Sequence, residues 1–154
     1  DGASPARQEK IYNNLKKYGC KVPLYSGAGS SEVGACATTT LRQAYKQGTA
    51  GVPLPQVNVM IIDDNGEELK YNQSGEICYS TPMMMLGYTN DTEKTKKSFF
   101  YVDSEKFYKT GDIGFVDEDG FVTYRGRKND FIYVKDENGN KFIDRFDETR
   151  IQYF

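Results

Sequence analysis

The 154-residue sequence contains no histidine and no long apolar segment. The absence of histidine removes the commonest general base and the commonest zinc ligand from the candidate chemistry. No apolar run approaches the ~20 residues that a membrane-spanning helix needs, and the first residues show no signal-peptide pattern. We therefore expect neither a histidine-based site nor a transmembrane segment.

Cysteine is also scarce, with three widely spaced residues, Cys20, Cys36 and Cys78. An odd and scattered set does not indicate a disulfide framework, and it is typical of reduced thiols inside the cell. The charges nearly balance, with 20 basic and 22 acidic residues and a net charge of −2. Because no basic face is indicated, nucleic acid is not expected as a partner. We predict a cytoplasmic protein.

The elements predicted along the chain indicate an α+β fold that is mainly β. Ser4 followed by Pro5 is typical of a helix start, and Gly19 is expected to end that helix. The apolar positions Ile11 and Leu15 repeat at helical spacing. The segment 21–26, KVPLYS, predicts a short strand that leads into a glycine-rich loop.

From Gly51 onward the sequence consists of short strands separated by turns that contain Asp and Gly. This pattern favours a small antiparallel barrel or sandwich, and we predict a distorted β-barrel. The strands are expected within 56–63, 75–80, 106–116, 121–127 and a hairpin over 131–143, with one helix over 90–99 and a buried connection over 82–88.

The acidic segments and a run of methionines each allow a ligand-binding interpretation, and in both cases a structural one is favoured. The segments 63–66, DDNG, and 117–120, DEDG, resemble calcium loops, but they lack the full ligand spacing and fit hairpin turns better. The methionines of 83–85 could line a ligand groove, and core packing is the favoured interpretation.

The loop 27–37, GAGSSEVGACA, places one carboxylate, Glu32, among small residues. A backbone without large side chains can approach a phosphate or a metal closely. The same composition also fits a simple turn. The loop therefore leaves a phosphate site, a metal site and a turn open as alternatives.

Four pieces of sequence, in one order, resemble the adenylate-forming enzymes, a family that includes acyl-CoA synthetases, peptide-synthetase adenylation domains and luciferases. The pieces are DGA (1–3), GAGSSE (27–32), KTGD (109–112) and YRGRKND (124–130). The framework phrases GVPLPQVNVMIID and SGEICYSTPMMMLGYTND add to the resemblance, which runs from Gly2 to about Val134. It is most similar to an acyl-CoA synthetase of the long-chain fatty acid type.

The resemblance implies roles for particular residues. Glu32 stands where the family's glutamate binds magnesium, and Asp112 stands where its acid binds the ribose hydroxyls. Arg127 matches a position near ribose and phosphate, and Asn129 matches the hinge before a C-terminal lid. The remaining implied nucleotide-binding residues are Gly2 and Ala3 beside the adenine, Gly27, Gly29 and Ser31 in the phosphate-facing loop, and Tyr124.

The activity implied by the resemblance is ligation of a carboxylic acid to a thiol. The acid attacks the α-phosphate of ATP, pyrophosphate leaves, and the acyl-adenylate is captured by coenzyme A. Such chemistry requires a magnesium ion held by oxygen ligands, which suits a glutamate. The implied domains are a nucleotide-binding piece at 1–49, a β-barrel at 50–128, and the hinge with the start of the lid at 129–154.

The sequence also departs from the family pattern. Ala28 replaces the aromatic residue that stacks on adenine, and Asn129 replaces the usual Asp or Lys. The phosphate-gripping loop and the lid lysine of the family have no counterpart in these 154 residues. The chain begins at Asp1 without a methionine, so we expect a fragment, and because the phosphate loop and the lysine are missing we expect it to be inactive alone. A non-catalytic binding module and a fragment of a peptide-synthetase adenylation domain stay as alternatives.

Overall fold

A computed structural model describes residues 4–130, together with the backbones of two strands at 132–135 and 141–144. The helices are α1 (Pro5–Lys17) and α2 (Thr92–Ser98), and two short 3₁₀ turns cover Ser31–Val33 and Lys128–Asp130. The strands are β1 (Gly27–Ala28), β2 (Thr38–Thr39), β3 (Val52–Pro53), β4 (Asn58–Ile62), β5 (Gly75–Ser80), β6 (Phe99–Val102), β7 (Glu105–Val116), β8 (Val122–Arg127), β9 (Ile132–Lys135) and β10 (Lys141–Asp144).

Helix α1 begins and ends as the sequence predicts. The Ser4 hydroxyl accepts the Arg7 amide at 3.4 Å, and Gly19, with φ of +83°, donates its amide to the Lys16 carbonyl at 3.0 Å. Its apolar positions Ile11 and Leu15 are exposed, whereas Gln8 is buried against the Thr49 carbonyl. Among the described residues, no helix is both long enough and apolar enough to span a bilayer.

Strands β1, β2 and β3 form a small antiparallel sheet that begins at Gly27. The predicted strand over 21–26 is therefore wrong. Pro23 has no amide hydrogen to donate to a ladder, and the Ser26 amide is bonded to the Thr40 hydroxyl at 2.6 Å. The ladder starts with Gly27 opposite Thr39, next to Ser26, whose carbonyl accepts the Thr40 amide at 2.7 Å.

The larger sheet is antiparallel and has the order β4-β5-β7-β6. Strand β8 also pairs with β7, on the same edge as β6. Strand β6 pairs with the beginning of β7, and β8 pairs with its end. The outer edge of β4 is covered by its own returning turn, since the Leu69 amide donates to the Ile61 carbonyl at 2.8 Å. The predicted barrel closure is therefore wrong for the described residues, in which the sheets stay open.

The core lies on two faces of this sheet, as the alternation in β4 predicts. Ile61 belongs to a cluster with Ile77, Tyr79 and Val122, while its neighbour Ile62 packs with Cys78 and Phe107 on the other face. Burial raises the pKa of the Cys78 thiol to about 12. This thiol is a core residue and is protonated at neutral pH.

The hairpins and the second helix are confirmed. The Asp91 carboxylate caps α2 by accepting the Lys94 amide at 2.9 Å, and β9 pairs with β10 around turn residues that lie outside the described residues. Asp63 and Asp117 each accept two backbone amides of their own turn, which confirms the turn interpretation of both acidic segments.

The connection over 82–88 is not buried as predicted. Met83 and Leu86 are 71% and 96% exposed, whereas Met84 and Met85 pack against the core. The Met85 amide donates to the Glu32 carbonyl at 2.8 Å. The segment is therefore held by its backbone against the glycine-rich loop, and its two central methionines reach the core while the residues on either side of them face solvent.

The junction of the two sheets predicts a measurable glycine requirement. Gly51 and Gly66 both have φ near +85°, but a Cβ on Gly51 would lie 1.9 Å from the Thr39 carbonyl carbon, while one on Gly66 meets nothing within 4 Å. We expect Gly51→Ala to lower the free energy of unfolding by about 3 kcal/mol or more, and Gly66→Ala by about 1 kcal/mol. Urea unfolding followed by circular dichroism measures both, and equal losses would contradict the steric explanation.

Candidate functional site

Asp112 lies in a bulge of β7. Opposite β5, Glu76 pairs with Ile113 and Cys78 pairs with Lys109, so β7 uses four steps where β5 uses two. Gly111 has φ of +73°, a conformation that glycine adopts without strain. Because a bulge re-aims side chains and leaves backbone groups unpaired, it is a device often found next to functional sites.

Side chains satisfy the backbone groups that the bulge releases. The Thr110 hydroxyl donates to the Ile77 carbonyl at 2.6 Å and accepts the Asp112 amide at 2.9 Å. The Gly111 amide donates to Glu76 Oε1 at 3.0 Å. The Thr-Gly-Asp sequence thus fixes its own irregular backbone, with Glu76 as the acceptor from the neighbouring strand.

Arg127 joins the bulge to the end of β8. A single guanidinium nitrogen, Nη1, donates to the Thr110 carbonyl at 2.8 Å and lies 3.0 Å from Asp112 Oδ1. Asp112 and Arg127 are also direct partners in the β7–β8 ladder. The Arg127 side chain is 53% exposed and that of Asp112 is 25% exposed, so the pair faces solvent on one side.

The environment shifts the titration of Asp112. Burial raises the pKa of its carboxyl, the Arg127 guanidinium opposes that shift, and the nearby Glu76 charge adds to it. The net result is a pKa above the usual range. Tyr124 lies in β8, opposite Gly114 of β7, and packs against the core.

Glu32 lies in the first turn of the 3₁₀ segment Ser31–Val33. Its Oε1 accepts the Tyr88 hydroxyl at 2.9 Å, and the Tyr88 and Tyr108 hydroxyls are 3.5 Å apart. The Lys94 ammonium lies 3.9 Å from the centroid of the Tyr88 ring. The tyrosine that holds the carboxylate is therefore itself held by a cation on α2.

These contacts set which group of the cluster is charged. Partial burial raises the pKa of Glu32, but hydrogen bonds from its own amide and from Tyr88 outweigh it, and the net pKa is lowered. Burial raises the pKa of Tyr108, and the neighbouring Tyr88 and Glu32 raise it further. At neutral pH Glu32 is the carboxylate and the phenols are donors.

The glycines of the loop are explained by packing. A Cβ on Gly29 would lie 2.1 Å from the Ala35 carbonyl oxygen, and one on Gly27 would lie 2.7 Å from that of Thr38. The backbone of 27–30 therefore runs directly against 35–39. Sequence reasoning attributed the small residues to ligand access, and the structure gives a close backbone approach as their physical reason.

The described residues form two groups of predicted site residues. Asp112 and Arg127 are in contact, and Glu32 contacts Tyr88, but within the described residues Glu32 makes no hydrogen bond or ion pair to Asp112 or Arg127. The link between the groups is β7, because Tyr108 precedes Asp112 by four residues, which is at most about 13 Å along a strand. Two surface pockets near residues 80–95 are lined by none of the predicted site residues.

The remaining predicted site residues to be located are Gly2, Ala3, Asn129 and Ser31. Gly2 and Ala3 lie outside the described residues. Asn129 is exposed in the turn Lys128–Asp130, directly after Arg127. Ser31 is exposed beside Glu32. The implied roles of these residues stay predictions.

Sequence reasoning missed Glu76, Tyr88 and Lys128. A signal for Glu76 exists, since an acid inside an apolar strand is rarely buried without a partner. No local signal points to Tyr88, because its contact with Glu32 spans 56 positions. Lys128 was quoted within YRGRKND without a role, although it lies 3.2 Å from Glu76 Oε2.

The described acidic residues fit a magnesium site in which the protein supplies a single ligand. Among the described residues, no group of three or more Asp, Glu, Cys or His side chains could hold a metal ion. Magnesium, however, is commonly bound through one or two carboxylates together with substrate phosphates and water. A charged Glu32 on an exposed loop is a suitable single protein ligand for such a site.

The family assignment follows from comparison with known proteins. The AMP-binding enzyme family matches residues 2–89, more than half of the chain. The chain belongs to the AMP-binding enzyme family. Among curated relatives, a probable 4-coumarate–CoA ligase 2 of Dictyostelium discoideum is 35% identical over 135 residues, which cover 87% of this chain and 24% of that protein.

Other members of the family are similar over comparable spans. A D-alanine–D-alanyl carrier protein ligase of Lacticaseibacillus casei is 31% identical over 112 residues, covering 70% of this chain and 22% of that one. A solved long-chain-fatty-acid-CoA ligase from Archaeoglobus fulgidus matches with a TM-score of 0.70 and 25% identity, over 100% of this chain and 35% of that one. This AMP-binding chain spans about a quarter of the curated relatives it matches.

The Asp112–Arg127 pair of the AMP-binding chain predicts a titration effect. Arg127→Gln removes the cation that opposes the raised pKa of Asp112, so we expect that pKa to rise further. A folded carboxyl that binds its proton more tightly loses stability as pH rises through its pKa, and this loss becomes larger in the variant. Carbon-detected NMR titration measures the pKa.

The matched control is Arg125→Gln. Arg125 lies on the same strand but contacts the Phe115 ring, with its guanidinium carbon 5.1 Å from the centroid. We expect the Asp112 titration to stay at its wild-type position in this variant. An unchanged or lower Asp112 pKa in Arg127→Gln would show that the guanidinium does not stabilise the carboxylate.

Proposed function

We propose that this chain is part of an ATP-dependent acid–thiol ligase. The parent enzyme activates a carboxylic acid as an acyl-adenylate and transfers the acyl group to the thiol of coenzyme A. The observation that carries the proposal is the Asp112–Arg127 pair, held at 3.0 Å on a self-satisfied bulge, in a chain of the AMP-binding family. A pure scaffold has no use for an acid–guanidinium pair that faces solvent on one side of such a bulge.

In this proposal Asp112 accepts hydrogen bonds from the ribose hydroxyls. A carboxylate held by its strand and by Arg127 presents charged oxygens in a fixed direction, which strengthens bonds to a diol. Arg127 uses Nη1 for both of its protein contacts. The side chain is 53% exposed, and the other donors of its planar guanidinium are proposed to bind the ribose and the α-phosphate.

Glu32 is the proposed magnesium ligand. The ion, when bound, supplies neutralisation of the negative charge on the phosphate oxygens. Tyr88 holds one carboxylate oxygen in place and helps to keep the pKa of Glu32 low, so the ligand is charged at neutral pH. Gly27, Gly29 and Ser31 are the proposed phosphate-facing residues of the same loop, and Gly2, Ala3 and Tyr124 the proposed contacts to the nucleoside.

The identities of the carboxylic acid substrate and of the acceptor thiol are also part of the proposal. Similarity to a long-chain-fatty-acid-CoA ligase supports a fatty acid and coenzyme A, while other relatives carry the names of 4-coumarate and D-alanyl carrier ligases. We propose the division 1–49, 50–128 and 129–154, with Asn129 as the hinge, and a cytoplasmic location.

The decisive experiment measures pyrophosphate release by the full-length parent protein with ATP, magnesium and a panel of carboxylic acids. We expect release with at least one acid, and we expect Glu32→Ala to reduce its rate about 100-fold or more, because a preorganised charge at the phosphates is lost. The control is Glu93→Ala, which removes an exposed acid paired with Lys96 on α2.

Two results would contradict the proposal. If no acid supports pyrophosphate release by the parent, the ligase function is wrong, and a binding module that reuses the fold becomes the better explanation. If Glu32→Ala turns over like Glu93→Ala, Glu32 is not a part of the mechanism. Products assayed with coenzyme A and with a carrier protein separate the two acceptor classes.

The 154-residue chain by itself is expected to bind nucleotide weakly. Ala28 lies in β1 and offers no aromatic face for the adenine, and loss of such a stacking surface costs about 1–3 kcal/mol. Isothermal titration calorimetry with ATP or AMP and magnesium should therefore show weak binding or none. Submicromolar affinity would mean that these residues already carry a complete nucleotide site.

A further inference from the structure

Glu76 connects the Asp112 bulge to a lysine on another segment. Its side chain is 11% exposed, in β5, with Oε1 accepting the Gly111 amide at 3.0 Å. Its other oxygen, Oε2, lies 3.2 Å from the Lys128 ammonium. Lys128 also reaches Asp64 Oδ1, at 3.1 Å, in the turn between β4 and β5.

This arrangement solves a specific problem of the bulge. The Gly111 amide points away from the regular ladder, and a buried amide without an acceptor is costly. A carboxylate supplies the acceptor, but a buried carboxylate requires a counter-charge. Lys128 provides that counter-charge, and the net pKa of its ammonium is raised because its bonds to Asp64 and Glu76 outweigh desolvation.

Arg127 and Lys128 therefore hold the same bulge from two sides. Arg127 contacts the Thr110 carbonyl and the Asp112 carboxylate, while Lys128 acts on the Gly111 amide through Glu76. The two basic residues are consecutive in sequence. A shift of the Gly111 backbone would move Asp112 relative to Arg127, since Gly111 and Asp112 share a peptide bond.

We propose that Glu76 is a positioning residue for the nucleotide site, held in place by Lys128, and that it sets the geometry of the Asp112–Arg127 pair through the Gly111 amide. The inference rests on the proposed role of Asp112 toward ribose. Glu76 does not contact the nucleotide; it acts through backbone. In this role one oxygen of Glu76 accepts from an amide and the other accepts from an ammonium.

The first test uses the 154-residue chain without nucleotide. We expect Glu76→Ala to speed hydrogen exchange of the Gly111 amide at least 10-fold, measured by NMR. Glu76→Gln, which keeps one amide-accepting oxygen, and Lys128→Met, which removes the counter-charge, should each give a smaller increase. The Leu69 amide, bonded to the Ile61 carbonyl in the same sheet, is the internal reference and should change less than 2-fold.

The second test uses the full-length parent. Glu76→Ala should raise the KM for ATP at least 10-fold and the KM for the carboxylic acid less than 2-fold, with partial recovery in Glu76→Gln. The matched control is Glu68→Gln, an exposed acid in the neighbouring turn, which should behave as wild type. A merely structural role would raise both KM values together or lower the amount of folded enzyme alone.

The outcomes separate the two levels of the argument. If Gly111 exchange is unchanged in Glu76→Ala, or rises equally with that of Leu69, the positioning role is wrong. Equal increases in both KM values also overturn it. Absence of pyrophosphate release by the wild-type parent overturns the proposed function, and with it the nucleotide part of this inference, whatever Gly111 exchange shows.

Discussion

The arrangement of the site depends on how β7 accommodates two extra residues opposite β5. The bulge frees the Gly111 and Asp112 amides and the Thr110 carbonyl from regular pairing, and each is bonded by a side chain. Buried backbone groups left without partners would destabilise this strand, which is central to the larger sheet. The requirement to satisfy three backbone groups therefore explains why the hydroxyl of Thr110, the carboxylate of Glu76 and the guanidinium of Arg127 occur together.

The same strand connects the bulge to the glycine-rich loop. Tyr108 is buried in β7, packs in the main core and lies beside the Tyr88 hydroxyl that binds Glu32. Glu32 is thus positioned by two segments. One is its own loop, whose glycines lie against the backbone of 35–39, and the other is the segment that leads into α2. Because Tyr108 is fixed in the core and Asp112 follows it on β7, the distance between Glu32 and Asp112 is set by this strand, although the two side chains do not touch.

Local patterns predicted most of the fold, and long-range pairing accounts for the errors. The alternation in β4, the caps of both helices and the acidic turns each follow from a few neighbouring residues, and each is confirmed. The strand over 21–26 and the buried connection over 82–88 were wrong because apolar composition does not say whether a partner strand or a core is within reach. Barrel closure was wrong because β6 and β8 share one edge of β7, a fact of strand order that turn sequences do not contain. Of the site, Asp112 and Arg127 were named through resemblance, while Glu76 and Tyr88 act across sequence distances of 35 and 56 residues.

The identities of the two consecutive basic residues follow from what each must contact. Position 127 faces a carbonyl and a carboxylate on one strand, and one guanidinium nitrogen contacts both, which leaves the other donors of the group available. Position 128 faces two carboxylates from different segments, Asp64 and Glu76, between which a compact ammonium fits as a point charge. Exchanging them would remove the additional donors from position 127 and place a broad plane between two acids. Because the chain continues from Lys128 directly into Asn129, the residue that contacts Glu76 immediately precedes the predicted hinge residue.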